Sequence, residues 1–463
     1  MYFEQFYLTC LAHASYMIGS DGEAAVIDPQ RDIDIYLEAA DEQDFKIRHI
    51  FETHLHADFV SGHKELATRT GATIYIGAQA NAGFPHVPLR DSSEVSMGSV
   101  RIRALETPGH TPESVCLVIT DEEKSSEPWG VFTGDTLFIG DVGRPDLSPE
   151  HTPKELAGLL YDSLHQKLLR LPDATLVYPA HGAGSLCGRS MRAERSSTIG
   201  TERLTNYALQ IGSREEFIQQ VTLNLPVRPG YFLQDAEINR SGAEALTDRL
   251  PLPEITLAEL QALLDEKASV VDVRPPEQFA AGHIPGSINI ALSGQFASWA
   301  GTILGLGSKS VLAAETDAQI EEANLRLSRV GIEDVRGYLA GGIGAWQKAG
   351  LPLASTAQIS AQELNEKLQD GIVRVLDVRR DGEWQAGHIA QAQSRALDTF
   401  PQGLPDVDNG QTLAVHCKSG YRSMIACSLL ERAGHRDVLN VVGGFDAWLA
   451  AGLPEVTEQV VKA

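Results

Sequence analysis

The sequence predicts an α/β protein with one large domain and two small ones, and three observations carry that reading. At 463 residues the chain is too long to fold around a single core. Its first half alternates short apolar runs of strand length with amphipathic helical stretches. Its second half repeats itself. Val271-Asp272-Val273-Arg274 returns as Leu376-Asp377-Val378-Arg379, and Gly282-His283-Ile284 returns as Gly387-His388-Ile389. Gly341-Gly342 through Trp346 returns as Gly443-Gly444 through Trp448, and Ala349 to Pro352 returns as Ala451 to Pro454. Landmarks that keep their order and nearly their spacing mark a duplicated unit of about 100 residues. The expected domains are 1–250, 251–356 and 357–463.

Composition narrows the function classes. A hydrophobic fraction of 43% with 22% charged residues describes an ordinary globular chain. The net charge of -24 opposes nucleic acid or an anionic membrane surface as a main partner, so an anionic substrate needs a local basic cluster. Five scattered cysteines do not make a disulfide framework. No signal peptide and no transmembrane run is evident. A reducing cytoplasm is the expected compartment, and there a reactive thiol is permitted.

Taken in order, Ala24 to Ile27 reads as a strand ending at Asp28-Pro29, and Ile47 to Phe51 as a buried one. Thr73 to Ile76, Val100 to Leu105, Val115 to Ile119 and Leu176 to Tyr178 follow as further strands. Thr152-Pro153 is a favoured cap and first-turn pair for a helix whose buried stripe is Leu156, Leu159, Leu160, Leu164 and Leu168. Pro226 to Pro253 holds several prolines and little periodicity, and reads as a connector that wraps. Leu413 to His416 is a strand, and Met424 to Ala433 the helix after it.

The chemistry begins at Thr53-His54-Leu55-His56-Ala57-Asp58, just past the strand 47–51. Imidazoles and a carboxylate at the mouth of a strand present a metal site on a rigid support. Gly109-His110-Thr111, Thr133-Gly134-Asp135 and Pro179-Ala180-His181-Gly182 add further candidates at later strand ends. The ordered set resembles the metallo-β-lactamase superfamily, whose signature is His-x-His-x-Asp-His. The resemblance covers residues 1 to 250 and implies an N-terminal metallo-β-lactamase αββα sandwich. In hydrolases of this fold His54, His56 and His110 would hold one zinc. Asp58, a histidine at 59 and His181 would hold a second, with Asp135 bridging. Phe59 can ligate nothing, which favours a single metal.

The stretches from Phe132 to Asp146 and from Tyr178 to Ser185 resemble the persulfide dioxygenase branch of the superfamily. That resemblance implies one Fe(II) per chain on His54, His110 and Asp135, the two-histidine, one-carboxylate set of ferrous oxygenases. His56, Asp58 and His181 would then be orienting groups or alternative ligands, with Asp58 and His181 placing the water that splits the oxidised product. The implied reaction converts glutathione persulfide, or a similar small persulfide, and O2 into sulfite and thiol. Arg144 is the expected partner of the thiol's carboxylates, with Arg189 and Tyr207 as further substrate contacts. Cys187, six residues past His181, reads either as lining the same pocket or as a small buried hydrophobe, while Cys10 and Cys116 read as core.

A second site lies at Cys417-Lys418-Ser419-Gly420-Tyr421-Arg422-Ser423. A strand-loop-helix with cysteine at the turn aims successive backbone N–H groups and a helix N-terminus at the sulfur, favouring an anion there. Arg422 adds fixed positive charge. The loop resembles that of rhodaneses, and residues 358 to 460 fit one rhodanese domain. Four residues separate Cys417 from Arg422, where related phosphatases have five, which favours a Cys417 persulfide exchanging sulfur with thiosulfate and sulfite. Cys427 reads as packing. Counting back 102 or 103 residues from Cys417 reaches Glu315 or Ala314, so the first repeat reads as a rhodanese-like α/β domain without its thiol. A homo-oligomer is expected. The rival readings are a zinc thioester hydrolase of the glyoxalase II kind and a non-enzymatic sulfur carrier.

Overall fold

The computed structural model describes residues 1–248, 251–406 and 411–457, so the expected domain limits at 250 and 463 lie outside the described residues. The chain divides into two compact units, Met1–Leu250 with Ser328–Gly331, and Pro251–Leu327 with Ile332–Ala463.

The first unit is an αββα sandwich. Strands β1 (Tyr2–Leu8), β2 (His13–Ser20), β3 (Glu23–Ile27), β4 (Lys46–Glu52), β5 (Thr73–Gly77) and β6 (Val87–Leu89) pair in that order. From β3 to β6 the pairing is parallel. The second sheet uses β7 (Glu94–Met97), β8 (Val100–Glu106), β9 (Val115–Asp121), β10 (Gly130–Gly134), then, after a short hairpin of β11 (Leu137–Phe138) and β12 (Asp141–Val142), β13 (Leu176–Pro179) and β14 (Ser197–Thr198). Its order is β14-β13-β10-β9-β8-β7.

The two-residue period of a strand explains the layers. Tyr16, Ile18, Ala25 and Ile27 join Leu117, Ile119 and Phe132 in the layer between the sheets. Met17, Ala24 and Val26 point the other way, into a cluster with Tyr36, Ala39 and Leu66 of the helices Asp34–Glu42 and His63–Thr70. The outer face of the second sheet is covered by the helix Pro153–Gln166, capped as expected by Thr152 and Glu155. Leu156, Leu160, Leu164 and Leu168 are buried, whereas Leu159 is only partly so. Each fully buried large side chain is worth roughly 1.5–3 kcal/mol.

One expectation needs correction. The segment 226–253 does more than wrap, since it forms the helix Phe232–Ser241, with Phe232, Asp235 and Asn239 buried. Two of those positions are polar, so no apolar stripe marked the helix.

The second unit holds two five-stranded parallel sheets of the same order. The first is β15-β19-β18-β16-β17, from β15 (Glu254–Ile255), β16 (Ser269–Asp272), β17 (Ile288–Asn289), β18 (Ser310–Ala313) and β19 (Val335–Leu339). The other is β20-β24-β23-β21-β22, from β20 (Ala357–Ile359), β21 (Val373–Asp377), β22 (Ala392–Ser394), β23 (Thr412–His416) and β24 (Val438–Val441). The repeated motifs hold each copy together. Arg274 forks onto Asp272 and reaches the Gly282 carbonyl. Arg379 does the same with Asp377 and Gly387. His283 stacks on Phe279 at 3.7 Å between ring centres, and His388 on Trp384 at 3.6 Å.

The repeats also touch one another. Tyr421 Oη donates to the Ala291 carbonyl at 2.9 Å. Thr356 Oγ1 donates to Glu431 at 3.0 Å, and His283 Nε2 lies 3.6 Å from the same carboxylate. Burial pushes the Glu431 carboxyl up to about 7, against the Thr356 hydrogen bond. A raised carboxyl stabilises the fold below its ordinary value of 4.5 and loses that contribution as pH rises through about 7. Glu431→Gln is therefore expected to stabilise this unit by roughly 1–2 kcal/mol at pH 8 and hardly at all at pH 5. Urea midpoints at the two pH values measure this, and an equal gain at both would refute it.

Candidate functional site

Loops after β4, β8, β10 and β13 bring the predicted ligands together. His54, His110 and Asp135 are buried, and one donor atom from each lies within 4.8 Å of the others. Asp135 Oδ2 is 3.4 Å from His110 Nε2 and 3.8 Å from His54 Nε2. The far side of each group is anchored. His110 Nδ1 donates to the Arg144 carbonyl at 3.0 Å. His54 Nδ1 donates to Thr53 Oγ1 at 3.0 Å, and that hydroxyl donates to Asp28 at 2.9 Å. His181 Nδ1 donates to Asp135 Oδ1 at 2.8 Å. These bonds fix the tautomers and turn the Nε2 lone pairs toward Asp135 Oδ2. Gly134, at φ +51°, makes the approach possible, because a Cβ there would sit 2.6 Å from Thr53 Oγ1.

The electrostatics suit a cation. Burial works against the charge on Asp135, but His181, through its charge and its hydrogen bond, outweighs it and holds the carboxyl well below its usual range. Burial pushes His54 and His110 down, leaving both imidazoles neutral. His181 goes the other way, since Asp135 and Asp58 overcome its burial. His110 Nε2 and Asp135 Oδ2 are buried without a hydrogen-bond partner. Such orphaned atoms are costly unless a ligand satisfies them. The set fits a single divalent metal.

His56, Asp58 and His181 form an adjoining group, also with donor atoms within 4.8 Å, and Asp58 lies 3.0 Å from His181 Nε2. His56 Nε2 faces Asp28 at 3.2 Å. Phe59 is fully buried, its ring 4.4 Å from that of His56 and 4.0 Å from that of His13. An apolar ring thus stands where the superfamily signature has a ligand. His13, Asp28, Glu52 and His63 were missed from sequence. All are buried, and His63 Nδ1 lies 3.5 Å from Glu52. Asp28-Pro29 was read only as a strand end. Nothing in the sequence marked His13, which opens β2.

Asn239 was missed as well. Its amide donates to the carbonyls of His56 at 2.7 Å and Phe59 at 2.8 Å and accepts from Ser61 N at 2.8 Å, so one side chain pins the ligand loop. Asn239→Ala leaves those buried backbone groups unpaired. It is expected to cost about 2–4 kcal/mol and to weaken metal affinity about 10- to 100-fold. Thermal unfolding with and without metal measures both effects, and an unchanged affinity would refute the pinning role.

The expected substrate contacts are differently placed. Arg144 is buried and donates to Asp146 at 2.7 and 2.9 Å and to the carbonyls of Leu186 and Pro226. It clamps loops and offers no free fork to a carboxylate. Arg189 is exposed, with donors on the Gln220 and Val221 carbonyls. Tyr207 is 38% exposed. Cys187 is buried beside Asp135 and His181, where burial and the carboxylates of Asp58 and Asp135 push its thiol up.

In the second unit Cys417 follows β23 directly. Gly420 N donates to its sulfur at 3.1 Å. The helix start Gly443-Gly444 backs the loop, with Phe445 N on the Cys417 carbonyl at 2.7 Å and Asp446 N on that of Lys418 at 2.9 Å. A Cβ on Gly444 would lie 2.3 Å from the Cys417 carbonyl oxygen, so only glycine fits there. Ser423 bonds Asn440 at 2.7 Å and Tyr421 reaches Ala291, so both brace the loop. Lys418 and Ser419 are exposed at its mouth. Arg422 is gripped by Glu383 at 2.6 and 2.7 Å, a partner that sequence reading did not single out. In the first repeat Asp272 pairs with Ala313, as Asp377 pairs with His416. That register places Ala314, rather than Glu315, opposite Cys417.

Comparison with known proteins finds that residues 8–181 match the family model of the metallo-β-lactamase superfamily. Residues 256–349 and 360–451 each match the rhodanese-like domain. A probable metallo-hydrolase of Burkholderia pseudomallei is 33% identical over 239 residues, 45% of this chain and 75% of that protein. A mitochondrial persulfide dioxygenase of Bos taurus is 30% identical over 220 residues, 46% of this chain and 77% of that protein. The crystal structure of a metallo-β-lactamase from Staphylococcus aureus is 33% identical with a TM-score of 0.66, covering 73% of this chain and 98% of that one.

Proposed function

Because the chain belongs to the metallo-β-lactamase superfamily and continues into two rhodanese-like domains, we propose that it is a persulfide dioxygenase joined to a sulfurtransferase. The observation that carries the reading is the buried trio His54, His110 and Asp135, with the unpaired Nε2 of His110 facing the unpaired Oδ2 of Asp135 and Phe59 in place of a further ligand. The persulfide dioxygenase relative supports it. One Fe(II) would be held by those three residues. When bound, it supplies the redox centre at which a persulfide RSSH, O2 and water become RSH, sulfite and two protons.

The chain's own groups do the rest. His181 lies between Asp135 and Asp58 at 2.8 and 3.0 Å, where it holds a proton at Nδ1 and can pass one through Nε2 to or from Asp58. The apolar wall of Phe59 and the burial of the cluster keep bulk water out. At the second site Cys417 would attack the outer sulfur of thiosulfate, forming a Cys417 persulfide and releasing sulfite, and a thiol such as glutathione would then carry the sulfur away. The sites are complementary because the first produces sulfite and consumes persulfide.

A zinc-dependent thioester hydrolase is the second reading, favoured by the adjoining donor group of His56, Asp58 and His181 and by the metallo-hydrolase relative. Metal analysis of anaerobically purified protein, paired with O2 uptake on glutathione persulfide, separates the two. Near-stoichiometric iron with O2 uptake is expected. Two equivalents of zinc with thioesterase turnover would replace the proposal.

A further inference from the structure

The chain carries its own control for which residues of the thiol site serve chemistry. The two repeats share strand order, the Asp–Arg clamp and the stacked histidine. They differ at the loop. The eleven-residue interval from Asp to His is the same in both copies, so Glu383 corresponds to Gln278. Gln278 makes only a 3.4 Å contact with Glu315. In the copy lacking the thiol, the N–H groups of Glu315 and Thr316 are taken by the Gln319 side chain at 2.9 and 3.3 Å. The carboxylate of Glu383 has therefore gone together with the cysteine, while the fold-holding residues have stayed. A carboxylate kept for the fold alone would be expected in both.

In the active copy the geometry is specific. Both terminal nitrogens of Arg422 lie on the two oxygens of Glu383 at 2.6 and 2.7 Å, a fork-to-fork pair that fixes the guanidinium plane. Glu383 also accepts the Arg380 backbone N–H at 3.1 Å, capping its own helix. Arg422 lies on the same loop, two residues past the Gly420 N–H that donates to the Cys417 sulfur at 3.1 Å. Arg380, the next cation, is paired instead with Asp398 at 3.5 Å. The arginine of the thiol loop is thus already occupied in the resting protein.

We propose that Glu383 is the resident counter-anion of Arg422: it positions the guanidinium beside Cys417 and competes with the sulfur-bearing oxyanion, so that thiosulfate and sulfite are held loosely enough to turn over. The inference rests on the sulfurtransferase reading of Cys417. Glu383 acts through Arg422 and is a positioning residue. An incoming thiosulfate takes over donors that Glu383 gives up, and the departing sulfite returns them.

The test is a double-mutant cycle with thiosulfate as sulfur donor and glutathione as acceptor, on the full chain. Glu383→Gln keeps an acceptor for the Arg380 N–H and removes the charge. It is expected to lower KM for thiosulfate about fivefold, tighten sulfite inhibition by a similar factor and lower kcat. In an Arg422→Met background the same change should shift none of these. An unchanged or raised KM in folded Glu383→Gln protein would overturn the proposal, as would equal shifts in both backgrounds. Wild-type protein that transfers no sulfur from thiosulfate would instead sink the sulfurtransferase reading, so the two failures are distinguishable. Circular dichroism and thermal melts report whether each variant is folded.

Discussion

Asp135→Asn protein is expected to leave purification with less than about a tenth of the wild-type metal and to lose about 10³-fold or more of its O2-consuming turnover. The substitution preserves shape, and the amide oxygen can still accept the hydrogen bond that His181 Nδ1 now donates to Asp135 at 2.8 Å. What disappears is the anion that faces His110 and His54 at 3.4 and 3.8 Å. Two neutral imidazoles alone make a weak site. His181 also loses the partner that most raises its proton affinity. Metal content by mass spectrometry and oxygen-electrode rates with glutathione persulfide measure the effects together. Stoichiometric metal with near-normal rates would show that the trio is not the centre.

Cys417→Ser should remove the thiosulfate-driven reaction, by about 10³-fold or more, because a hydroxyl cannot store the transferred sulfur. O2 consumption should persist when persulfide is supplied directly, since the metal-ligand candidates belong to the other compact unit. The serine fits the same small space, keeps the Gly420 N–H as a donor and leaves the loop braces at Ser423 and Tyr421 in place. Loss of both activities in a folded variant would contradict the division of labour. So would retained thiosulfate turnover.

Much of this was legible in the sequence. Ligand residues stood at strand ends because strand ends are where a rigid sheet presents side chains, and the donor atoms of His54, His110 and Asp135, the trio that the family resemblance implies, lie together. The duplicated half announced itself through motifs that now prove to be a clamp and a ring stack. The misses share a physical cause. Asn239 and Asp235 are polar groups buried on a short helix, and hydrophobic periodicity does not register such positions. His13, Glu52 and His63 reach the centre through tertiary packing, with no fixed spacing to betray them. Arg144 looked available because charge is visible in a sequence, whereas its partners at residues 146, 186 and 226 are not. Glu383 escaped notice because its meaning lies in Arg422, 39 residues further on.

The plugged loop of the first repeat has a consequence for how that copy can change. Converting Ala314 to cysteine would restore a thiol at the right register. It would meet Gln319 where Arg422 follows Cys417, Gln278 where Glu383 stands, and N–H groups already claimed by Gln319. A working thiol loop there demands several coordinated replacements rather than one.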